Sequence, residues 1–315
     1  MAWRLTEDLG EFTAAAGPYL RSDPVRNTVP LTVLAALERA GLATFGESPP
    51  VFGWHAPASG ETASGETASG GTASGGTASG ATDGVFLWTP PMPLLVAGMP
   101  AGSADSLAGL LTSAGRTPGE ANVPAADSAG FSAAWADVTG GSSRPRMRMR
   151  LHRLAELCPP DPWPPGAARL AGQADFGLLV RWSEEFVAET RAAGEDAARM
   201  VTDQLDYGGL TVWEDSGQPV AMASLSPAVA GVCRVSSVYT PAAHRQRGYG
   251  AAVTTTVSQQ ALEAGATEVV LYTDVANRTS NALYERLGYG PVTDRVHLEL
   301  RPSVTPPGPS SSPWS

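Results

Sequence analysis

The 315-residue chain contains no lysine, so its 21 basic residues are all arginines, against 31 acidic residues. This absence excludes P-loop nucleotidases, which need a Gly-Lys-Ser/Thr motif, and protein kinases, which need a strand lysine. It also excludes pyridoxal-phosphate enzymes, whose cofactor forms a Schiff base with lysine. The net charge of −10 disfavours nucleic-acid binding, because such binding depends on a basic surface.

Cysteine and long apolar runs are also scarce. The two cysteines, Cys158 and Cys233, are far apart, and we expect free thiols rather than a disulfide framework. The apolar stretch 86–100 contains four prolines and is too short to span a membrane. Asp8 and Glu11 stand where a signal peptide is apolar. These features predict a soluble, cytoplasmic protein with no membrane partner.

The chain has two patterned halves on either side of a proline cluster. We predict a first lobe at 1–157 with a flexible repeat insertion at 58–82, a stiff linker at 158–166, a second domain at 167–301 and a disordered tail at 302–315.

The residue patterns predict regular elements in both halves. In the first half they predict helices at 31–43, 103–114 and 126–138, and strands at 85–88, 94–97 and 146–154. In the second half they predict helices at 175–192, 250–264 and 279–287, and strands at 210–214, 220–225, 232–239, 268–273 and 292–300. This order indicates an α+β fold with a mixed, mostly antiparallel sheet flanked by helices.

The strand at 146–154 alternates arginine with apolar residues. The arginines that follow this pattern are Arg144, Arg146, Arg148, Arg150 and Arg153. They form either an anion site or an exposed strand face whose charge is balanced by nearby acids, and we favour the second interpretation.

A glycine loop between a strand and a helix is the most informative motif. Gly248 and Gly250 lie between the apolar strand 232–239 and the helix that follows. The free N–H groups and the dipole of a helix N-terminus attract anions, and glycines let a phosphate approach the backbone closely. Arg245 and Arg247 add positive charge. The loop therefore predicts a pyrophosphate site.

A dinucleotide-binding fold competes with this interpretation and fits less well. That fold needs Gly-x-Gly-x-x-Gly early in a βαβ unit, but Val253 occupies the third glycine position and the preceding strands favour antiparallel pairing. The expected acidic residue, Glu268, begins the next strand instead of ending it. An NAD(P)-dependent oxidoreductase therefore remains only a minor alternative.

Two motifs together resemble the GNAT N-acetyltransferase superfamily. Arg-x-x-Gly-x-Gly at 245–250 is similar to its acetyl-CoA signature. The segment 277–289 is similar to its second motif, in which an asparagine, a serine, a Leu-Tyr pair and a Gly-Tyr pair occur in order. One helix and one strand separate the motifs, as in the family. The resemblance covers roughly 167–300.

The resemblance implies that acetyl-CoA is the co-substrate and that no metal is needed. It places the pantetheine arm in a gap beside one strand and the pyrophosphate on the loop after it. The cofactor-binding residues that it implies are Val238, Tyr239, Thr240, Arg245, Gln246, Arg247, Gly248, Tyr249, Gly250, Ala251, Asn277 and Ser280. Four scattered histidines and the lack of a Cys-x-x-Cys pair agree with the absence of a metal.

The implied reaction is direct acetyl transfer to an amine. Tyr284 matches the tyrosine that often protonates the departing thiolate. Many family members carry a glutamate as general base on the strand before the loop, but 233–238 has no carboxylate. Glu214 and Asp274 on neighbouring strands are candidate bases acting through water, and an amine that arrives neutral is an equal alternative.

The acceptor is expected beside the first helix of the second domain, where the family usually binds it. The candidates are Trp182, Glu185, Phe186 and Glu189, against the simpler interpretation of an amphipathic helix with a solvated acidic face. We expect a small-molecule or peptide amine as the acceptor.

The first half has no glycine loop and no Asn…Tyr motif. We interpret it as a degenerate second GNAT-like lobe, with an unrelated capping domain as the alternative, and expect it not to bind acetyl-CoA. For the whole chain we predict an N-acetyltransferase. The alternative is a non-catalytic acyl-CoA sensor or scaffold.

Overall fold

The computed structural model describes residues 2–56, 82–190, 196–301 and 303. Nearly all of the predicted insertion at 58–82 and of the predicted tail at 302–315 lies outside these residues.

Twelve strands and eight helices make up the described part of the chain. The strands are β1 (Ala2–Thr6), β2 (Val51–Ala56), β3 (Gly84–Trp88), β4 (Leu94–Gly98), β5 (Glu120–Pro124), β6 (Ser142–Leu154), β7 (Ala167–Leu170), β8 (Leu210–Asp215), β9 (Gln218–Leu225), β10 (Val232–Tyr239), β11 (Glu268–Asp274) and β12 (Tyr289–Arg301). The helices are α1 (Leu9–Ser22), α2 (Thr28–Ala40), α3 (Ala104–Ser113), α4 (Ser128–Thr139), α5 (Phe176–Thr190), α6 (Ala197–Asp206), α7 (Tyr249–Glu263) and α8 (Arg278–Arg286).

The element order of the first half, β1 to β6, is repeated in the second half, β7 to β12. Each half runs strand, two helices, three strands, helix, strand, helix, strand. Within each half, the first four strands pair antiparallel in sequence order, and the fourth and fifth strands pair in parallel. The first strand of each half, β1 or β7, forms an edge of the sheet. The α+β class with a mostly antiparallel sheet is confirmed.

The two halves exchange their last strands in one continuous sheet. The strand order is β1-β2-β3-β4-β5-β12-β6-β11-β10-β9-β8-β7. Thus β12 of the second half pairs with β5 of the first, and β6 of the first half pairs with β11 of the second. The predicted boundary at 157 therefore lies after a strand that completes the sheet of the second half.

Ion pairs line the exchanged strands. Arg144 pairs with Glu299, Arg146 with Glu120, Arg148 and Arg150 with Asp294, and Arg153 with Glu268. These pairs confirm that the arginine run is a strand face balanced by acids. Single exposed pairs contribute only about 0–1 kcal/mol each to stability.

The helices cover both faces of the sheet. Helices α5 and α6 pack on Val212 and Met222, while α7 and α8 pack on the opposite side chains of the same strands, such as Trp213 and Ala223. In the first half, α1 and α2 form one core and α3 and α4 form another. Val25, between α1 and α2, packs on Val232 of β10, so α1, α2, α5 and α6 share one face.

All the predicted elements exist, and their ends differ from the predicted ones by at most four residues. The elements that the sequence patterns did not predict are β1, α1, β2, β5, β7 and α6. Strand β7 has only four residues, which is too short for a clear alternation, and α1 contains Pro18, a residue that is unfavourable inside helices. Among the described residues, no helix has both the length and the apolar character to cross a membrane.

The exchanged strand makes a prediction about truncated chains. A fragment of residues 142–301 keeps β6 between β11 and β12, whereas 158–301 leaves both as open edges, and open edges promote aggregation. We expect a cooperative thermal transition, followed by circular dichroism, for the longer fragment and none for the shorter. Equal melting temperatures for the two would contradict the role given to β6.

Candidate active site

A gap opens between the parallel strands β10 and β11. The first residue pair is Val232 with Glu268 and the last is Val235 with Leu271, and beyond that pair β10 and β11 are not paired. A bulge between Ser236 and Tyr239 interrupts the pairing of β10 with β9, and Ser237 has a φ of 47°. The backbone of 236–239 is therefore free of β11 on that side and can bind an extended chain.

The loop after β10 ends at an open helix N-terminus. It contains a short 3-10 helix (Ala242–His244), and Gln246 and Gly248 have positive φ values of 62° and 84°. Gly248 caps α7, and no side chain supplies a capping hydrogen bond, so the first N–H groups of the helix stay available for an anion. A Cβ at Gly248 would lie 3.5 Å from Pro164 of the proline cluster.

The two arginines of the loop differ in their surroundings. Arg245 donates to both carboxylate oxygens of Glu189 at 2.7 Å and to the Thr240 carbonyl at 2.8 Å. Its pKa is raised, mainly because of the hydrogen bond to Glu189. The structure thus uses Arg245 to tie the loop to α5. Arg247 is exposed near Tyr249, whose hydroxyl donates to Asp215 at 2.5 Å.

The second predicted motif forms the start of α8. Asn277 is the N-cap, and its side chain accepts from the backbone N–H of Ser280 at 3.0 Å. Asn281, which the sequence analysis did not single out, donates to the carbonyls of Asp274 and Asn277 and accepts from Thr273. These bonds fix α8 against the end of β11.

Tyr284 lies on α8 in the core that α7 and α8 share. It is 7% exposed and makes an edge contact with Tyr289, with ring centroids 6.1 Å apart. Burial raises the pKa of Tyr284 well above its ordinary value. The neighbouring Leu283 is 4.0 Å from the position of a Cβ on Gly250, so α8 borders the N-terminus of α7.

The predicted acceptor residues gather around Tyr239 at the end of β10. Its hydroxyl donates to Glu185 at 2.8 Å, and its ring contacts Trp182 and Phe186. Burial, together with Glu185, raises the pKa of Tyr239 to about 12. Trp182 is buried in the core under α5, next to the ring of Tyr239. Glu189 is paired with Arg245.

The two candidate bases lie in different places. Glu214 is on β8, two strands from β10, and pairs with Arg169 at 2.7 Å. The structure therefore does not bring it to the gap. Asp274 ends β11 at the carboxyl end of the gap, where its side chain accepts from the N–H of Ala276 at 2.9 Å.

The corresponding gap in the first half is filled. Strands β4 and β5 pair only at Leu94 and Leu95 and then separate. The guanidinium of Arg295, from the exchanged strand β12, donates to the carbonyl of Val96 at 2.6 Å and to that of Asn122 at 2.8 Å. A side chain thus takes the place that an extended ligand would need.

A cavity of about 350 Å³ between the two halves was missed by the sequence analysis. Its polar floor includes Asn122, Arg234 and His297. No local motif marks these residues, because β5, β10 and β12 bring them together from distant parts of the sequence. Within the described ranges, no group of three or more His, Cys, Asp or Glu residues is placed to hold a metal ion.

Comparison with known proteins assigns the second half to a family. Residues 150–289 match the model of the acetyltransferase (GNAT) family, so the chain contains a GNAT acetyltransferase domain. This match confirms the resemblance of the two motifs. Acetyl-CoA is the co-substrate of this family, and the gap with its open helix N-terminus suits such a molecule. No curated protein gives a significant match.

Solved structures share the fold over nearly the whole chain. A Drosophila protein is 14% identical, with 95% of this chain and 98% of that chain covered and a TM-score of 0.62. A GCN5-related N-acetyltransferase from Sphaerobacter thermophilus is 17% identical, with 96% and 97% covered and a TM-score of 0.60. A GNAT-family acetyltransferase from Colwellia psychrerythraea is 12% identical, with 96% and 100% covered and a TM-score of 0.55. These likenesses establish the fold.

The loop geometry predicts the effect of a methyl group at Gly248. Gly248→Ala places an L-residue in the left-handed region, at a cost of about 1–2 kcal/mol, and shifts the N–H groups of the loop. We expect acetyl-CoA to bind about fivefold to tenfold more weakly by calorimetry. Gly265→Ala is the matched control, since its φ is +90° and no atom lies within 4 Å. Equal affinities of the two variants would argue against the loop as the anion site.

The partly buried His297 predicts a dependence of stability on pH. Its pKa is lowered to about 4 by burial and by Arg295 and Arg146. The unfolded chain, with a histidine pKa near 6.5, binds the proton first, so stability is lost as the pH falls from 6.5 towards 4. The loss is on the order of 3 kcal/mol.

Thermal melts across this range test the dependence. His297→Gln keeps a hydrogen-bond acceptor and removes the titration, so its melting temperature should fall less on acidification than that of the wild type. His244→Gln, outside the cavity, is the control and should behave as the wild type. An unchanged slope in His297→Gln would show that another group is responsible.

Proposed function

We propose that this protein is an acetyl-CoA-dependent N-acetyltransferase that transfers an acetyl group directly to the amine of a small molecule or peptide. The observation that carries the proposal is the coincidence of two features at one end of β10. The β10–β11 gap exposes strand backbone, and α7 begins ten residues after Tyr239 at the end of β10, with no side chain capping its first N–H groups.

These two features divide the binding of acetyl-CoA between them. The N–H groups of 246–251 hold the pyrophosphate, with Arg247 as the exposed cation nearby. The backbone of Val238, Tyr239 and Thr240 binds the pantetheine arm, as an added strand would. Because most of these donors are backbone groups, an acidic protein is able to hold a polyanion.

The chemistry is a direct displacement at the thioester. The amine nitrogen attacks the carbonyl carbon, a C–N bond forms, and the C–S bond breaks. A backbone N–H at the bulge of β10 stabilises the oxyanion. Tyr284 gives its proton to the departing sulfur, and its raised pKa keeps it protonated at neutral pH.

Removal of the amine proton does not depend on a carboxylate of β10. Asp274, at the mouth of the gap, is the candidate base through water, and an amine that is already neutral needs none. Glu214 contributes to stability through Arg169 in this proposal.

The first half serves as a degenerate GNAT-like lobe in this proposal. The repeated order of elements supports the assignment, and Arg295 in the β4–β5 gap supports the expectation that this lobe does not bind acetyl-CoA. Its role is to donate β6 and to cover one side of the site.

Loss of the Tyr284 hydroxyl tests the proposed chemistry. Tyr284→Phe should lower kcat at least tenfold, measured as CoA release with a panel of amines, because the thiolate then leaves unprotonated. The Kd of acetyl-CoA should change less than twofold. Tyr289→Phe is the matched control, since it removes a buried hydroxyl that bonds Ser258, and we expect lower stability with little change in kcat.

The same panel separates the enzyme from the acyl-CoA sensor. Tight binding of acetyl-CoA, no turnover with any amine and no effect of Tyr284→Phe would favour the sensor. Turnover that depends on Tyr284 would rule it out.

A further inference from the structure

The linker between the two halves passes beside the glycine loop. It begins next to α8, where the N–H of Cys158 donates to the carbonyl of Leu287 at 3.1 Å. Six residues later, the buried Pro164 lies 3.5 Å from the position of a Cβ on Gly248, which caps α7. The chain then enters β7 at Ala167, on the edge of the sheet. The linker therefore forms part of the surface at the N-terminus of α7.

Trp163, the residue before Pro164, has a ring that is held in place and still partly open. The residue is 45% exposed. Its ring meets that of Trp213 at an angle of 63°, with the centroids 5.6 Å apart. Trp213 is itself 1% exposed, and its Nε1 donates to the carbonyl of Pro165 at 2.9 Å. An edge contact of this kind leaves at least one face of the Trp163 ring uncovered by Trp213.

Exposed aromatic rings are few in the described part of the chain. Trp163 and Tyr207 are the aromatic residues among the large exposed apolar side chains, and the others are Leu42, Val138, Leu170 and Leu262. Tyr207 lies under Arg39, at the cavity between the halves. Trp163 lies instead beside the glycine loop. A ring that is already fixed by a buried neighbour loses little conformational freedom when a planar ligand stacks on it.

The exposed cation of the loop lies near the same strand end. Hydrogen bonds from Tyr249 and Ser216 hold the pKa of Asp215 below its ordinary value. The charge of Arg247 acts on Asp215 in the same direction. Asp215 ends β8, two residues after Trp213. Arg247 therefore lies near the end of the strand that carries the partner of the exposed ring.

Trp163 also lies on the cofactor side of the sheet. Its partner Trp213 packs in the core that contains Tyr249 and Tyr284, from α7 and α8. The predicted acceptor residues surround Tyr239, whose ring packs in the core under α5 on the opposite face. A ligand on Trp163 is therefore continuous with the pyrophosphate site and separate from the acceptor candidates.

One part of acetyl-CoA has no residue assigned to it in the proposed function. The pantetheine arm lies in the β10–β11 gap, and the pyrophosphate lies on the N–H groups of 246–251. The adenosine is joined directly to the pyrophosphate, so its base must lie close to the N-terminus of α7. Nucleic-acid bases stack on aromatic side chains because both have flat π faces.

We propose that Trp163 stacks on the adenine of acetyl-CoA, so that the linker forms the nucleotide part of the cofactor site. The inference deepens the proposed function and rests on it, since it takes acetyl-CoA to be bound at the glycine loop. Arg247 supplies positive charge for the phosphates near the ring. The segment that joins the two halves is then also a binding element.

A ligand without the nucleotide tests the inference on the full chain. Calorimetry compares acetyl-CoA with S-acetyl-4′-phosphopantetheine, which keeps the thioester, the arm and one phosphate. Trp163→Ala should raise the Kd of acetyl-CoA about tenfold, as expected for the loss of one stacked base. It should change the Kd of the shorter ligand less than twofold. Trp163→Tyr keeps a ring and should stay within threefold of the wild type for both ligands.

Two further variants serve as controls. Trp163→Leu keeps an apolar contact with Trp213 but has no ring, so it should weaken acetyl-CoA binding as Trp163→Ala does. Tyr207→Ala removes the other exposed ring and should change neither Kd. Equal weakening of both ligands by Trp163→Ala would show that the residue only supports the loop, and would overturn the inference. An unchanged Kd of acetyl-CoA would overturn it as well.

A spectroscopic measurement reports the stacking itself. The fluorescent analogue etheno-CoA emits less light when its base stacks on an indole. At saturation its emission should fall on binding to the wild type and stay nearly constant on binding to Trp163→Leu. Equal quenching by both forms would overturn the inference and leave the transferase standing. Binding that depends on Trp163 without turnover of any amine would overturn the transferase alone, and failure of the wild type to bind acetyl-CoA would overturn both.

Discussion

The exchange of β6 and β12 between the two halves is the constraint on which the rest of the structure depends. Each half lacks a strand beside its fifth strand, and the other half supplies it. The pairing of β6 with both β11 and β12 joins the halves through main-chain hydrogen bonds. The two halves are therefore held together by one continuous sheet.

The exchanged strands also make the two halves unequal. Arg295 on β12 enters the first gap and binds its carbonyls, which leaves that gap without room for an extended ligand. In the second half, β11 separates the β10–β11 gap from the exchanged β6. The end of β10 continues into the glycine loop and the N-terminus of α7. A repeated fold thus keeps one open strand gap, in the second half, and fills the other with a side chain.

The sequence patterns predicted the features that depend only on residues close together in the chain. The strand–loop–helix unit around Gly248 and the Asn277 cap of α8 were recognisable because each lies within one short segment. The roles of Arg245 and Glu214 were not, because their partners, Glu189 and Arg169, are 56 and 45 residues away. Arg234, Asn122 and His297 carried no signal at all, since each looks like an ordinary polar residue of a strand.

By itself the sequence determined the α+β class, the positions of most elements, the glycine loop and the absence of lysine chemistry. These depend on residue periods, on glycines at positive φ and on residue types, all of which are local. Only the tertiary structure decided which gap stays open, which arginines are already paired and where a cavity forms between the halves. Those outcomes depend on contacts between distant strands, and above all on which half each last strand joins.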